Sequence, residues 1–123
     1  MNGLPGRRIL VIEDEMLIAL MLQSLLEGLG HHVAGRANTV AGALAIIEAD
    51  AQSIDAATLD INLAGEHSHE VADALKAHGI PFIVITGYEQ PKLFGDFDGR
   101  AVIHKPLIPR QLEQALQFLE PRQ

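Results

Sequence analysis

The sequence predicts an α/β protein, a doubly wound parallel sheet of five strands flanked by five helices, and three observations carry that prediction. Five short apolar runs are present, they alternate with segments of helical periodicity, and polar residues collect at or just beyond their carboxyl ends. Strands joined by helices need right-handed crossovers, which produce a parallel sheet covered on both faces.

The elements follow in order. The first strand is Ile9 to Glu13, an apolar run that ends in adjacent carboxylates. Leu17, Ile18, Met21, Leu22, Leu25, Leu26 and Leu29 then recur at helical spacing and read as a core-facing stripe, with Gly30 as the cap that stops the helix. His31 and His32 read as turn residues before a second strand, Val33 to Arg36. Ala41 to Ala49 reads as a helix with Leu44 and Ile47 on one face, and Ala56 to Asp60 as the third strand. Val71, Ala72, Ala74 and Leu75 mark a third helix, ended by Gly79, and Pro81 forbids its continuation and opens the strand Phe82 to Thr86. Between Tyr88 and Gly99, Pro91, Gly95 and Gly99 interrupt a polar stretch in which only Leu93, Phe94 and Phe97 offer an apolar face, so a short or mobile fourth helix is expected. A fifth strand, Ala101 to His104, precedes a last helix that starts near Pro109 and runs through Leu112, Leu116 and Leu119.

Composition narrows the function. A chain of 123 residues with 48% hydrophobic content fits one domain, residues 1–123, with one core. Its longest apolar run, Met16 to Leu22, is far short of the roughly 20 residues that cross a bilayer. Arg7 and Arg8 precede a short apolar run as in a signal peptide, but Glu13, Asp14 and Glu15 cut it before a secretory core forms, so a cytoplasmic location is expected. There is no cysteine, hence no disulfide framework and no thiolate chemistry. The formal charge of -7 and the scatter of nine Lys and Arg residues disfavour nucleic acid and anionic membranes as partners.

Function should sit where strand ends converge. Glu13 and Asp14 are hard oxygen ligands suited to Mg²⁺, Asp14 directly and Glu13 through water, with the Asn62 backbone carbonyl as a further oxygen. Asp60 stands at the mouth of an oily strand as a carboxylate nucleophile that can attack a phosphoryl donor when a cation offsets the charge on the transferring oxygens. Thr86 offers a hydroxyl to a phosphoryl oxygen and Lys105 offsets the remaining charge, which suffices for phosphoryl transfer by positioning and electrostatics.

The set Glu13-Asp14, Asp60, Thr86 and Lys105-Pro106 resembles the receiver domain of bacterial two-component response regulators, in order and spacing, over essentially the whole chain. The resemblance implies a flavodoxin-like sheet of order 2-1-3-4-5, phosphotransfer to Asp60 from a histidine kinase or a histidine phosphotransfer protein, Mg²⁺ as cofactor, and a cis Lys105-Pro106 peptide. It implies a switch between inactive and active populations and a downstream protein bound through the fourth helix, fifth strand and fifth helix, with homodimer formation on phosphorylation left open. The chain ends soon after its last helix, so no output domain is expected, unless the chain is a piece of a longer regulator. Thr86-Gly87-Tyr88 is also similar to a segment of the alphaproteobacterial FAT GUY subgroup of receivers, often single-domain, with Val84, Ile85 and Glu89 in place of that motif's phenylalanine, alanine and tyrosine.

Departures from the family pattern are specific. Val102 stands where most receivers carry the aromatic that moves with the threonine, which leaves Tyr88 as a candidate substitute, and Ala64 stands where many have proline. Two rival readings exist. In a Mg²⁺-dependent phosphatase a second carboxylate is expected two residues after the nucleophile, where this chain has Asn62; a non-phosphorylated scaffold has only Val102 in its favour. His67 and His69 read as polar loop residues at the start of the third helix and not as metal ligands, and His104 as pointing away from Lys105.

Overall fold

A computed structural model describes residues 6–63, 65–87 and 102–119. Its main sheet has five parallel strands: β1 (Arg8–Ile12), β2 (His32–Ala37), β3 (Ala56–Asp60), β6 (Phe82–Thr86) and β7 (Val102–His104). They lie in the order β2-β1-β3-β6-β7, which is the 2-1-3-4-5 arrangement once a small hairpin, β4 (Asn62–Leu63) with β5 (Glu66–His67), is set aside. Four helices are described: α1 (Met16–Gly28), α2 (Val40–Asp50), α3 (His69–Ala77) and α4 (Pro109–Phe118), with one 3-10 turn at Ala51–Ser53. The expected fourth helix, Tyr88 to Gly99, lies outside the described residues.

Strand alternation divides the core in two. Leu10, Ile12, Ala57, Leu59, Phe82 and Val84 face α2 and α3, which contribute Val40, Ala43, Ile47, Val71, Ala72 and Leu75. Ile9, Val11, Ala56, Ile83, Ile85 and Ile103 face the other way, against Ala19, Leu22 and Leu26 of α1 and Leu112 and Leu116 of α4. A sheet buried on both faces needs continuous apolar strands, and all five residues of β3 and of β6 are buried.

The ends of the helices follow local chemistry. Thr39 caps α2, its hydroxyl accepting from the Gly42 N–H at 2.9 Å. Gly30 and Gly79 follow α1 and α3 at φ 94° and 68°, the left-handed conformation that stops a helix. Pro109 opens α4, where its missing N–H costs nothing.

Three expectations are corrected here. His32 is the first residue of β2 instead of a turn residue, because its N–H donates to the Arg7 carbonyl at 2.9 Å and extends the ladder. His67 belongs to β5 and His69 is the first residue of α3, so neither is a loop residue. The Leu and Met stripe of α1 is only partly core: Ala19, Leu22 and Leu26 are buried, whereas Met16, Leu17, Leu20, Met21 and Leu29 are exposed, Leu17 at 76%. One sheet face can cover only one side of a helix, and α1 is apolar on nearly every side of its first two turns.

Candidate functional site

Register brings the polar strand ends together. Ile12 pairs with Leu59, so the next residues, Glu13 and Asp60, stand on neighbouring strands. The Glu13 N–H donates to the Ala37 carbonyl at 2.9 Å, which continues the β1–β2 ladder one residue past Ile12 and fixes Glu13 in place. On the other side Asp60 pairs with Ile85, one residue before Thr86, and Thr86 pairs with His104, one residue before Lys105. Adjacent parallel strands lie about 4.8 Å apart, so this row forms one mouth at the carboxyl edge of the sheet.

Lys105 occupies that mouth. Its Nζ lies 3.2 Å from Glu13 Oε2, 3.2 Å from Asp60 Oδ2 and 2.8 Å from Glu15 Oε1. An ammonium has three N–H donors and no acceptor, and three carboxylates take them. The Lys105 backbone is tied as well: its N–H donates to the Thr86 carbonyl at 2.8 Å, and the Lys105-Pro106 peptide is cis.

Charge is not balanced by that lysine. Ligand oxygens of Glu13, Asp14, Glu15 and Asp60 all lie within 4.8 Å of one another. Like charges this close repel, least for the exposed Asp14 and Glu15 and most for the buried Glu13 and Asp60. Glu13 and Asp60 are buried, Glu13 Oε1 has no hydrogen-bond partner among the described residues, and Glu13 Oε2 also accepts from the Glu15 N–H at 3.1 Å. Burial first, and then the neighbouring Asp60, push the Glu13 carboxyl up to about 8, against the opposing pull of the Glu15 N–H and Lys105. Burial draws the Lys105 ammonium down, but the hydrogen bond to Glu15 and the charges of Asp60 and Glu13 outweigh it and hold the ammonium above its ordinary range.

The hairpin after Asp60 leaves one further oxygen at the mouth. The Ser68 N–H donates to the Ile61 carbonyl at 2.9 Å, and Asn62 pairs with His67. In an antiparallel ladder this makes Asn62–His67 the non-hydrogen-bonded pair, so the hairpin does not use the Asn62 carbonyl.

Glu13, Asp14, Asp60 and Lys105 are thus gathered in one cluster, with Thr86 buried at the neighbouring strand end. Val102 is 38% exposed on the edge strand β7, and His104, two residues on and on the same face of the strand, is exposed as well. Tyr88 lies outside the described residues. Sequence reasoning missed Glu15, although three consecutive acids were the signal for it. It also missed the exposed apolar rim that the first turns of α1 place next to Glu15.

A sheet of this order with an acidic mouth opposed by a lysine defines a receiver domain, and the model of the response regulator receiver domain family matches residues 9–117. The chain belongs to that family, the receiver domains of two-component systems. Among curated proteins it is 40% identical over 117 residues to the phyllosphere-induced regulator PhyR of Methylorubrum extorquens, which covers 89% of this chain and 43% of PhyR. The chain therefore spans less than half of that relative. Among solved structures, SdrG from Sphingomonas melonis Fr1 matches with a TM-score of 0.80 at 44% identity, covering 91% of this chain and 94% of SdrG. The BeF3-activated conformation of SdrG from Pseudomonas melonis Fr1 matches with a TM-score of 0.75 at 42% identity, covering 95% and 97%. No helix among the described residues is long and apolar enough to cross a membrane.

Proposed function

We propose that this receiver accepts a phosphoryl group on Asp60. The observation that carries the reading is the contact of Asp60 Oδ2 with Lys105 Nζ at 3.2 Å inside a cluster of four carboxylates, Glu13 and Asp60 buried, that one lysine cannot neutralise. An Asp60 oxygen attacks phosphorus, the new O–P bond forms as the donor's P–N or P–O bond breaks, and the bonding pair leaves with the donor. Lys105 stays protonated throughout and follows the charge on the transferred oxygens. Thr86, at the end of β6, offers its hydroxyl to one of those oxygens once the group has arrived.

The residues fit a divalent cation. Asp14 and Asp60 would hold it directly, Glu13 through water, and the Asn62 carbonyl would supply a fourth oxygen that the hairpin leaves available. Bound Mg²⁺ would supply charge neutralisation on the phosphoryl oxygens. The buried Glu13 Oε1 without a partner is what such a site would satisfy.

The phosphodonor is a histidine kinase or a histidine phosphotransfer protein, and it must reach Asp60 from the carboxyl edge of the sheet. Met16, Leu17, Leu20 and Met21 border that edge on α1, and a docking protein would bury them. The output is a contact with a downstream protein. Its described part is β7, α4 and the residue that precedes α4, where Val102, Phe118 and Ile108 are exposed, Phe118 at 85%. In this reading the protein is a cytoplasmic signalling domain whose only chemistry is on itself, and Tyr88, Val102 and Pro106 are the positions where its switch departs from or follows the family pattern.

The test is intact-protein mass after incubation with acetyl phosphate and Mg²⁺, for wild type and Asp60→Asn. The wild type should gain one phosphoryl group only with Mg²⁺, and the variant none. A wild type that binds Mg²⁺ and gains nothing would leave a non-phosphorylated scaffold.

A further inference from the structure

The shortest of the three contacts of Lys105 goes to a residue that plays no part in the chemistry above. Nζ lies 2.8 Å from Glu15 Oε1, against 3.2 Å for both Glu13 and Asp60. Glu15 is the residue before α1, its side chain is 59% exposed, and it makes no side-chain capping bond to that helix. We infer that Glu15 is a positioning residue that latches Lys105 and must release it before the ammonium can follow a phosphoryl group on Asp60, an inference that rests on Asp60 as the acceptor.

Donor counting supports the latch. The three N–H donors of Lys105 are spent on Glu13, Glu15 and Asp60. A cation held by Asp14, Glu13 and Asp60 would take over the Glu13 charge, and a phosphoryl group on Asp60 would offer new oxygens in place of the Asp60 carboxylate. Glu15 belongs to the same carboxylate cluster but is not among the ligands proposed above for the cation, so it goes on competing for the same ammonium. The Lys105 side chain is 15% exposed, so its stem is packed, and the freedom that remains is in the ammonium, which faces three carboxylates. The ionic partners therefore set where the headgroup points.

The competition is modest in size because Glu15 is largely solvated. Exposed ion pairs are worth little, so freeing Lys105 should speed phosphoryl incorporation about threefold. Two mechanisms could produce such a gain, release of Lys105 or simple removal of a negative charge that repels an anionic donor. Glu15→Asp separates them, since it keeps the charge but withdraws the carboxylate by one methylene.

The experiment uses Glu15→Gln, Glu15→Asp, and Glu15→Gln in a Lys105→Met background. The first readout needs neither metal nor phosphate: solvent exchange of the Lys105 ammonium, followed by NMR on ¹⁵N-lysine-labelled protein. Exchange should quicken in both Glu15 variants. The second is the initial rate of phosphoryl incorporation from acetyl phosphate with Mg²⁺. It should rise about threefold in both single variants and stay unchanged by Glu15→Gln when Lys105 is Met. Unchanged exchange, a Glu15→Asp rate equal to wild type, or a gain that persists without Lys105 would each overturn the latch. A wild type that takes no phosphoryl group would refute Asp60 as the acceptor, and the exchange comparison would still decide whether Glu15 holds Lys105.

Discussion

Glu13 makes cation binding depend on pH, and Glu13→Gln should abolish the dependence. Its carboxyl is pushed up to about 8, so in the metal-free protein it holds a proton throughout the range from pH 5 to 7, where an ordinary glutamate is ionised. A divalent cation needs the ionised form and must displace that proton. With a midpoint of about 8, protonated and ionised forms stand near 100:1 at pH 6 and 1:1 at pH 8, so apparent Mg²⁺ affinity should be about 50-fold weaker at pH 6. The effect on stability follows from the same protonation. A carboxyl raised on folding binds more protons in the folded than in the unfolded state between about 4.5 and 8, so the metal-free protein loses stability as pH climbs through that window. Mg²⁺ should restore most of it at the upper end. The assay is calorimetric titration of Mg²⁺ at pH 6, 7 and 8 at fixed ionic strength, for wild type and Glu13→Gln. The variant should bind weakly with a flat profile. Wild-type affinity that varies less than threefold across the range, or a variant that keeps the slope, would refute the reasoning.

The other predictions concern the rim and the frame. Leu17→Ser with Met21→Ser should change stability by no more than about 0.5 kcal/mol, since both side chains are exposed. The same pair should slow transfer from a phosphorylated histidine protein about tenfold while leaving transfer from acetyl phosphate unchanged, a comparison that isolates docking from chemistry. Leu26→Ala empties a fully buried position between α1 and the sheet and should cost about 2–5 kcal/mol in urea unfolding. Gly30→Ala meets no atom within 4 Å but must hold φ at 94°, so urea unfolding should show a loss of about 1–2 kcal/mol from backbone strain alone.

The sheet was legible because its strands are oily on both faces and end in polar residues. Ala56 to Asp60 and Phe82 to Thr86 have the observed bounds, and Glu13, Asp60 and Lys105 meet as the converging strand ends require. The buried face of α1 was not legible. Met16 to Leu22 is apolar without interruption, so periodicity cannot choose a side, and the line Ala19, Leu22, Leu26 is selected only by contact with the sheet. The hairpin at Asn62 to His67 was hidden for a different reason. The sequence between its two strands lacks the usual Asn-Gly or Asp-Gly signal, and Gly65 has a positive φ of 86° there. The Glu15 contact depends on where a lysine 90 residues away points its headgroup, which no local pattern encodes.

The central claim, that Asp60 carries the phosphoryl group, is tested most directly by trapping it. An acyl phosphate on an aspartate is reduced by borohydride to homoserine, so peptide mass mapping of phosphorylated and reduced protein names the acceptor. The account predicts homoserine at position 60 and nowhere else, appearing only when Mg²⁺ and a phosphoryl donor are both present. Homoserine at position 14, or an intact Asp60 in protein that has gained a phosphoryl group, would contradict it.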